Sequence, residues 1–288
     1  MVYYNSEIYL FAAENVRVLE NNKIKLLFSV ILFLLVGCGT PDQIHLRGNI
    51  PIKNPFYIDV YNMRKGIKVM SDTICSNNIN YEVGILPKGI YQLTVSWDRD
   101  ILKAQEIERF ARQPDLGTPK YYISTTFWLD ANESDNYKLL LDRSYQQAEL
   151  QELLLAKNGG ESIQMKVVSG GKNNRIYNEY LTLVDHYKTE NRHKKDSLQQ
   201  SAHYNGLKLI ENLERLNTLL AKDWLPDVKA ALLHEEINFM KNNIDSEVIP
   251  NIYQIQVNNK DDFEKYREVY HLFSIADKRN LADWNRNN

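Results

Sequence analysis

The chain has 288 residues, 43% of them hydrophobic and 25% charged, the mix of a globular protein with room for one large or two small cores. Lys and Arg number 35 against 37 Asp and Glu, a formal net charge of -2. No basic run is long enough to track a phosphate backbone, so no nucleic-acid partner is expected. Two cysteines, Cys38 and Cys75, leave no disulfide framework, no C-x-x-C redox pair and no thiolate zinc site.

In chain order the first element is NNKIKLLFSVILFLLVGC, Asn21 to Cys38: two lysines, an apolar run from Leu26 to Val36 interrupted only by Ser29, then Gly37 and Cys38. The run falls short of the roughly 20 apolar residues that cross a bilayer as a helix, and it fits the roughly 7–15-residue apolar region of a secretory signal. Its end, Leu35-Val36-Gly37-Cys38, resembles the bacterial lipobox, and that resemblance implies a diacylglyceryl group on the Cys38 thiol and cleavage just before it. The competing reading is an uncleaved buried helix or N-terminal anchor; the preceding lysines, the Gly-Cys end and the following Gly39-Thr40-Pro41 count against it. Residues 1–37 are therefore expected to be a signal segment. Within it, residues 1–20 carry Glu7, Glu14 and Glu20 ahead of the lysines and read as an over-long start. Residues 38–42 then form a lipidated linker.

From Gln43 to Ser169 short alternating runs are broken by Gly, Pro, Asn and Asp, which predicts strands joined by turns. The expected strands are Gln43–Gly48, Phe56–Tyr61, Ile67–Asp72, Asn80–Ile85, Gly89–Trp97, Tyr121–Leu129, Tyr137–Leu141 and Ser162–Val168. In YQLTVSW, Tyr91, Leu93, Val95 and Trp97 share one face and Gln92, Thr94 and Ser96 the other, so one side of this strand is buried. Helices are expected over Ile101–Gln113 and Ser144–Lys157. Cys75 reads as a strand residue packed like a small hydrophobe.

After Gly170-Gly171 the apolar period lengthens to three or four residues. Ile176, Tyr177, Tyr180, Leu181, Val184 and Tyr187 make one stripe, and Leu209, Leu213, Leu216 and Leu220 a second. Pro226 opens a helix running through Val228 to about Lys241. Ser246 is placed as N-cap of the next helix, with Val248, Ile249, Ile252 and Tyr253 inward. A last helix is expected over Asp261–Asp277, with Phe263, Tyr266, Tyr270 and Phe273 along one side. The predicted fold is α+β: an antiparallel β-sandwich or open barrel over residues 43–169, then a helical domain over 172–288.

The strand-rich start IHLRGNI…FYIDVYN…INYEVGILPKGIYQLTVSW, then VSGGKNNRIYNEYL and NIDSEVIPNIYQI, together with the lipobox, is similar to a domain of unknown function that precedes thioredoxin-like domains in Bacteroidetes lipoproteins. The resemblance implies an envelope location and a final strand that leads through Gly170 and Asn174 into a helix carrying Tyr177 and Tyr180. The thioredoxin chemistry does not carry over, because it needs a C-x-x-C that is absent here.

Several clusters of chemistry-bearing residues remain. His186, Glu190 and His193, at i, i+4 and i+7, would share a helix face and form the one candidate metal set; the spacing differs from H-E-x-x-H, and the surrounding Lys188, Arg192, Lys194 and Lys195 favour a solvated face. No metal or other cofactor is expected. His234-Glu235-Glu236 reads as surface, since adjacent helix positions diverge by about 100°. Asp98 and Asp100, flanking Arg99, read as a turn. Trp97, Trp128, Tyr121 and Tyr122, at strand ends, are candidates for stacking a sugar, although strand aromatics are commonly core.

No hydrolase or nucleotide motif is present, so an enzyme is not the favoured reading. The functional expectation is a lipid-anchored envelope protein, on the periplasmic face of the outer membrane, that binds or scaffolds another envelope protein. A carbohydrate-binding lipoprotein is the alternative, and an enzyme with an unrecognised site the third.

Overall fold

In a computed structural model the described residues run from Ile44 to Asn287, apart from 53–54, 77, 85, 100–107, 109–111, 113–118, 156–162 and 205–209. Cys38, the expected signal segment and Asp100 lie outside the described residues. So does the expected helix over Ile101–Gln113, except Glu108 and Arg112, which are both helical.

Among the described residues eight strands form two four-stranded sheets. They are β1 (Ile44–Asn49), β2 (Phe56–Asn62), β3 (Ile67–Ile74), β4 (Asn78–Val83), β5 (Gly89–Asp98), β6 (Lys120–Leu129), β7 (Asn136–Leu141) and β8 (Met165–Ser169). One sheet has the order β4-β1-β7-β8 and the other β3-β2-β5-β6. The expected alternation holds: Tyr91, Leu93, Val95 and Trp97 on β5 are buried, as are Phe56, Ile58 and Val60 on β2. Inward residues of both sheets, including Ile44, Leu46, Tyr137, Leu139, Met165 and Val167 from the first, make one continuous core. Neither sheet closes on itself into a barrel.

The first sheet is mixed rather than purely antiparallel, because β1 runs parallel to β7 with Leu46 opposite Tyr137 and Gly48 opposite Leu139. A parallel neighbour here joins residues 91 positions apart, and alternation of apolar residues carries no information about strand direction. Gly48 fits this pairing. A Cβ there would fall 2.8 Å from Leu139 Cβ and 2.9 Å from the Leu139 carbonyl, so only glycine lets the two backbones pack this closely.

The described residues also contain eight helices: α1 (Gln147–Leu155), α2 (Lys172–Tyr204), α3 (Ile210–Leu220), α4 (Pro226–Asn242), α5 (Val248–Gln256), α6 (Lys260–Lys265), α7 (Arg267–Leu272) and α8 (Ile275–Asn287). Pro226 opens α4 as expected, in the first turn where its missing N–H costs nothing. The expected single helix over Asp261–Asp277 is instead α6, α7 and the start of α8. The chain leaves helical geometry at Tyr266 and is extended at Phe273. These breaks turn Tyr266, Val269 and Phe273 into the same core, which one straight helix would not do. Ser274 then caps α8, its Oγ accepting from Asp277 N–H at 3.1 Å and donating to Asp277 Oδ2 at 2.6 Å.

The helices bury a second cluster in which Ile176, Tyr177 and Tyr180 of α2 meet Met240, Ile249, Ile252 and Tyr253. Two residues of the strands join it: Ile90 of β5 and Trp128 of β6, which face away from the inter-sheet core. Gly170-Gly171 thus marks the change from strand to helix, while Ile44–Asn288 forms one compact unit. No helix among the described residues is long and apolar enough to cross a membrane.

Candidate functional site

Of the four aromatic side chains expected to stack a ligand, three are core. Trp97, Trp128 and Tyr121 are each 1% exposed: Trp97 and Tyr121 pack on each other in the inter-sheet core, and Trp128 lies under the helices. Burial removes the flat face that a sugar would need, so these three form no stacking platform. Tyr122 is 66% exposed on the outer face of its sheet, where Ser96 of β5 sits opposite it and Tyr57 of β2 beyond, a row of two rings flanking a hydroxyl. The Lys120 ammonium covers the Tyr57 ring at 3.5 Å.

His186, Glu190 and His193 do share one face of α2, along a shallow hollow of about 410 Å³. Glu190 is engaged by Lys194 at 2.9 Å, and Lys194 also reaches Asp227 at 2.9 Å. The two histidines are separated by two helical turns, about 10 Å. Among the described residues no group of three His, Cys, Asp or Glu side chains is gathered to hold a metal ion. Cys75 follows β3 and is exposed, contrary to the expected packed position: the run of buried residues on neighbouring strands does not extend to β3, a half-exposed edge strand.

Glu236, expected at the surface, is 5% exposed. Its Oε1 accepts from the Tyr180 hydroxyl at 2.8 Å and its Oε2 from the Tyr266 hydroxyl at 2.6 Å, while Gln256 Nε2 donates to Tyr180 at 2.6 Å. Burial pushes the Glu236 carboxyl up, and the two tyrosine donors partly pull it back. The same burial, and the carboxylate beside them, raise both tyrosines. His234 and Glu235 diverge from Glu236 as helix geometry requires, and His234 pairs with Asn238 at 3.0 Å. This cluster ties α2, α4, α5 and the Tyr266 turn together.

A second polar knot forms where β8 enters α2. Asn174, 1% exposed, accepts from Ser169 N–H at 2.9 Å and donates to the Trp128 carbonyl at 2.9 Å and the Val167 carbonyl at 3.4 Å. It thereby bonds both sheets to the first turn of α2. Asn173 N–H donates to Glu133 Oε2 at 3.0 Å and its side chain to Glu133 Oε1 at 2.7 Å, so a carboxylate sits at the N-terminus of α2. Ser246 donates to Asn173 Oδ1, and its Oγ accepts from Val248 N–H at 3.4 Å. The N-cap position of α5 is Glu247 rather than Ser246, whose hydroxyl is shared with this knot. Tyr177 donates to Thr126 Oγ1 at 2.8 Å, and burial pushes its hydroxyl up to about 12.

A cleft of about 630 Å³ opens on the outer side of the first sheet, lined by Arg47, Asn49, Lys138, Leu140, Arg143 and Tyr145 among others. Arg143 lies 4.1 Å from the Tyr145 ring centre and pairs with Glu149, whose carboxyl it holds below the usual range. Tyr145 donates to Asp142 Oδ1 at 2.9 Å. Arg47 and Lys138 are opposite one another in the β1–β7 register, both exposed. None of the cleft cations was singled out from sequence. Alternation places Arg47 and Lys138 outward, but only the parallel pairing sets them side by side.

No protein-family model matches the chain, and no curated protein or solved structure matches it.

Proposed function

We propose that this chain is a lipid-anchored protein of the bacterial cell envelope whose folded part, a β-sandwich with a helical layer on one sheet, is a non-catalytic module that binds or organises another envelope protein. The observation that carries the reading is the Leu26–Val36 apolar run ending in Leu35-Val36-Gly37-Cys38, followed after only five residues by the first strand. So short a linker puts the folded part directly at the membrane to which Cys38 would be tied. Two or more acyl chains, at about 0.8 kcal/mol per buried CH₂, make such tethering stable. The buried polar groups read as structural: Glu236, Asn173 and Asn174 are all committed to bonds that join elements. The periplasmic face of the outer membrane is the proposed location, since Asp42 is the only acidic residue in the linker.

The test is cross-linking of the full-length protein in its native cells, followed by affinity purification and mass spectrometry, with Cys38→Ser as the untethered control. A stoichiometric partner that disappears in the control supports the reading. A membrane-bound bait recovered alone sinks it.

Glycan binding is retained as a second reading on one observation, the exposed Tyr122 on a hydroxyl-bearing sheet face beside Ser96 and Ser124. Tyr122→Ala that leaves oligosaccharide binding unchanged removes it.

A further inference from the structure

Arg47 and Lys138 stand opposite each other on the two central strands of their sheet, and like charges in directly opposed positions are destabilising. Neither has an ion-pair partner among the described residues. The only acidic residue on the same face of β1 and its neighbour β4, Glu82, lies opposite His45, two positions along from Arg47. The third cation, Arg143, is already neutralised by Glu149. The cleft therefore presents two uncompensated charges beside an exposed apolar side chain, Leu140, at 48%.

We infer that this cleft is where the partner protein docks, through an acidic peptide segment whose carboxylates sit between Arg47 and Lys138. This rests on the reading of the folded part as a protein-binding module. A carboxylate between the two meets the paired N–H donors of the Arg47 guanidinium and the Lys138 ammonium, converting their repulsion into attraction. Leu140, half-exposed beside the cations, gives the peptide an apolar contact. The exposed Leu140 beside the two cations favours a peptide, which carries acidic and apolar side chains together, over lipid head groups.

The experiment uses the full-length protein in neutral detergent micelles and a fluorescein-labelled peptide of alternating glutamate and alanine, read by anisotropy. A lysine–alanine peptide and phosphatidylglycerol vesicles are run in parallel. The expected result is saturable binding of the acidic peptide alone, weakened roughly tenfold or more by R47E/K138E and by raised salt. R47Q/K138Q should give an intermediate loss. Both positions are exposed, so a single cooperative melting transition certifies that the variants are folded, and R47Q/K138Q, relieved of the repulsion, should melt no lower than the wild type. No binding by the wild type, equal binding by the charge-reversed variant, or binding to vesicles but not peptide overturns the inference. R47E/K138E also enters the native cross-linking. A partner captured equally by wild type and variant overturns the cleft assignment and leaves the proposed function standing, whereas a wild-type bait recovered alone overturns the function itself.

Discussion

At the residue scale, Asn174 and Glu236 are buried polar side chains whose bonds join separate elements, and their replacement separates bonding from bulk. Asn174→Ala strips the Ser169 N–H of its acceptor and the Trp128 carbonyl of its donor, which should cost roughly 2–4 kcal/mol in urea unfolding. Asn174→Asp keeps the acceptor but turns a carboxylate toward the Trp128 and Val167 carbonyls, so it should be the worse of the two; a milder Asp variant contradicts the assignment. Glu236→Leu leaves the Tyr180 and Tyr266 hydroxyls without their acceptor and should cost about 1–3 kcal/mol for each. Glu236→Gln keeps an acceptor and should be better tolerated. The pH dependence follows from the raised carboxyl. Above the ordinary glutamate range of about 4.3 the unfolded chain has lost this proton while the folded one still holds it, so the contribution of Glu236 to stability falls as pH rises from there through its folded value. Unfolding measured across that window should show the wild type losing stability relative to Glu236→Gln as pH rises. A difference independent of pH argues against burial as the cause.

At the element scale, the β8–α2 junction shows why two adjacent glycines differ. A Cβ on Gly171 would fall 2.7 Å from Glu133 Oε2 and 3.0 Å from Glu133 Cβ, displacing the carboxylate that accepts from the first turn of α2; one on Gly170 meets nothing within 4 Å. Gly171→Ala should therefore destabilise by about 1–2 kcal/mol, the worth of a lost helix N-terminal partner. Gly170→Ala should stay within about 0.5 kcal/mol. Equal melting shifts for the pair mean that Glu133 does not hold the helix end. The same junction shows what the sequence could convey about elements. The change of period after Gly170-Gly171 is plain in the residues, and all eight strands lie where alternation puts them, within three residues at their ends. The Asp261–Asp277 stripe conceals two breaks for a physical reason: Phe263, Tyr266, Tyr270 and Phe273 keep helical spacing across Tyr266 and Phe273, and spacing does not register a break that preserves it.

At the scale of the whole molecule, the exposure of Cys75 gives a simple test of the arrangement of the sheets. With Cys38→Ser removing the other thiol, the folded protein should react with one equivalent of a thiol reagent at a rate little changed by full unfolding; a thiol that reacts only in denaturant would place Cys75 in the core. The division of labour between sequence and structure is clear at this scale. Local periodicity determined the strands, most helices, the inward faces and the apolar run before Cys38, because each depends on residues a few positions apart. Tertiary structure alone decided the parallel β1–β7 pairing, the burial of Trp128 under helices and of Glu236 between two tyrosines, and the meeting of Arg47 with Lys138. Trp128 is outward-facing on its own strand, Glu236 looks solvated on its own helix, and the two cations are 91 positions apart. What covers an outward face is set by segments remote in the chain, and no local pattern encodes them.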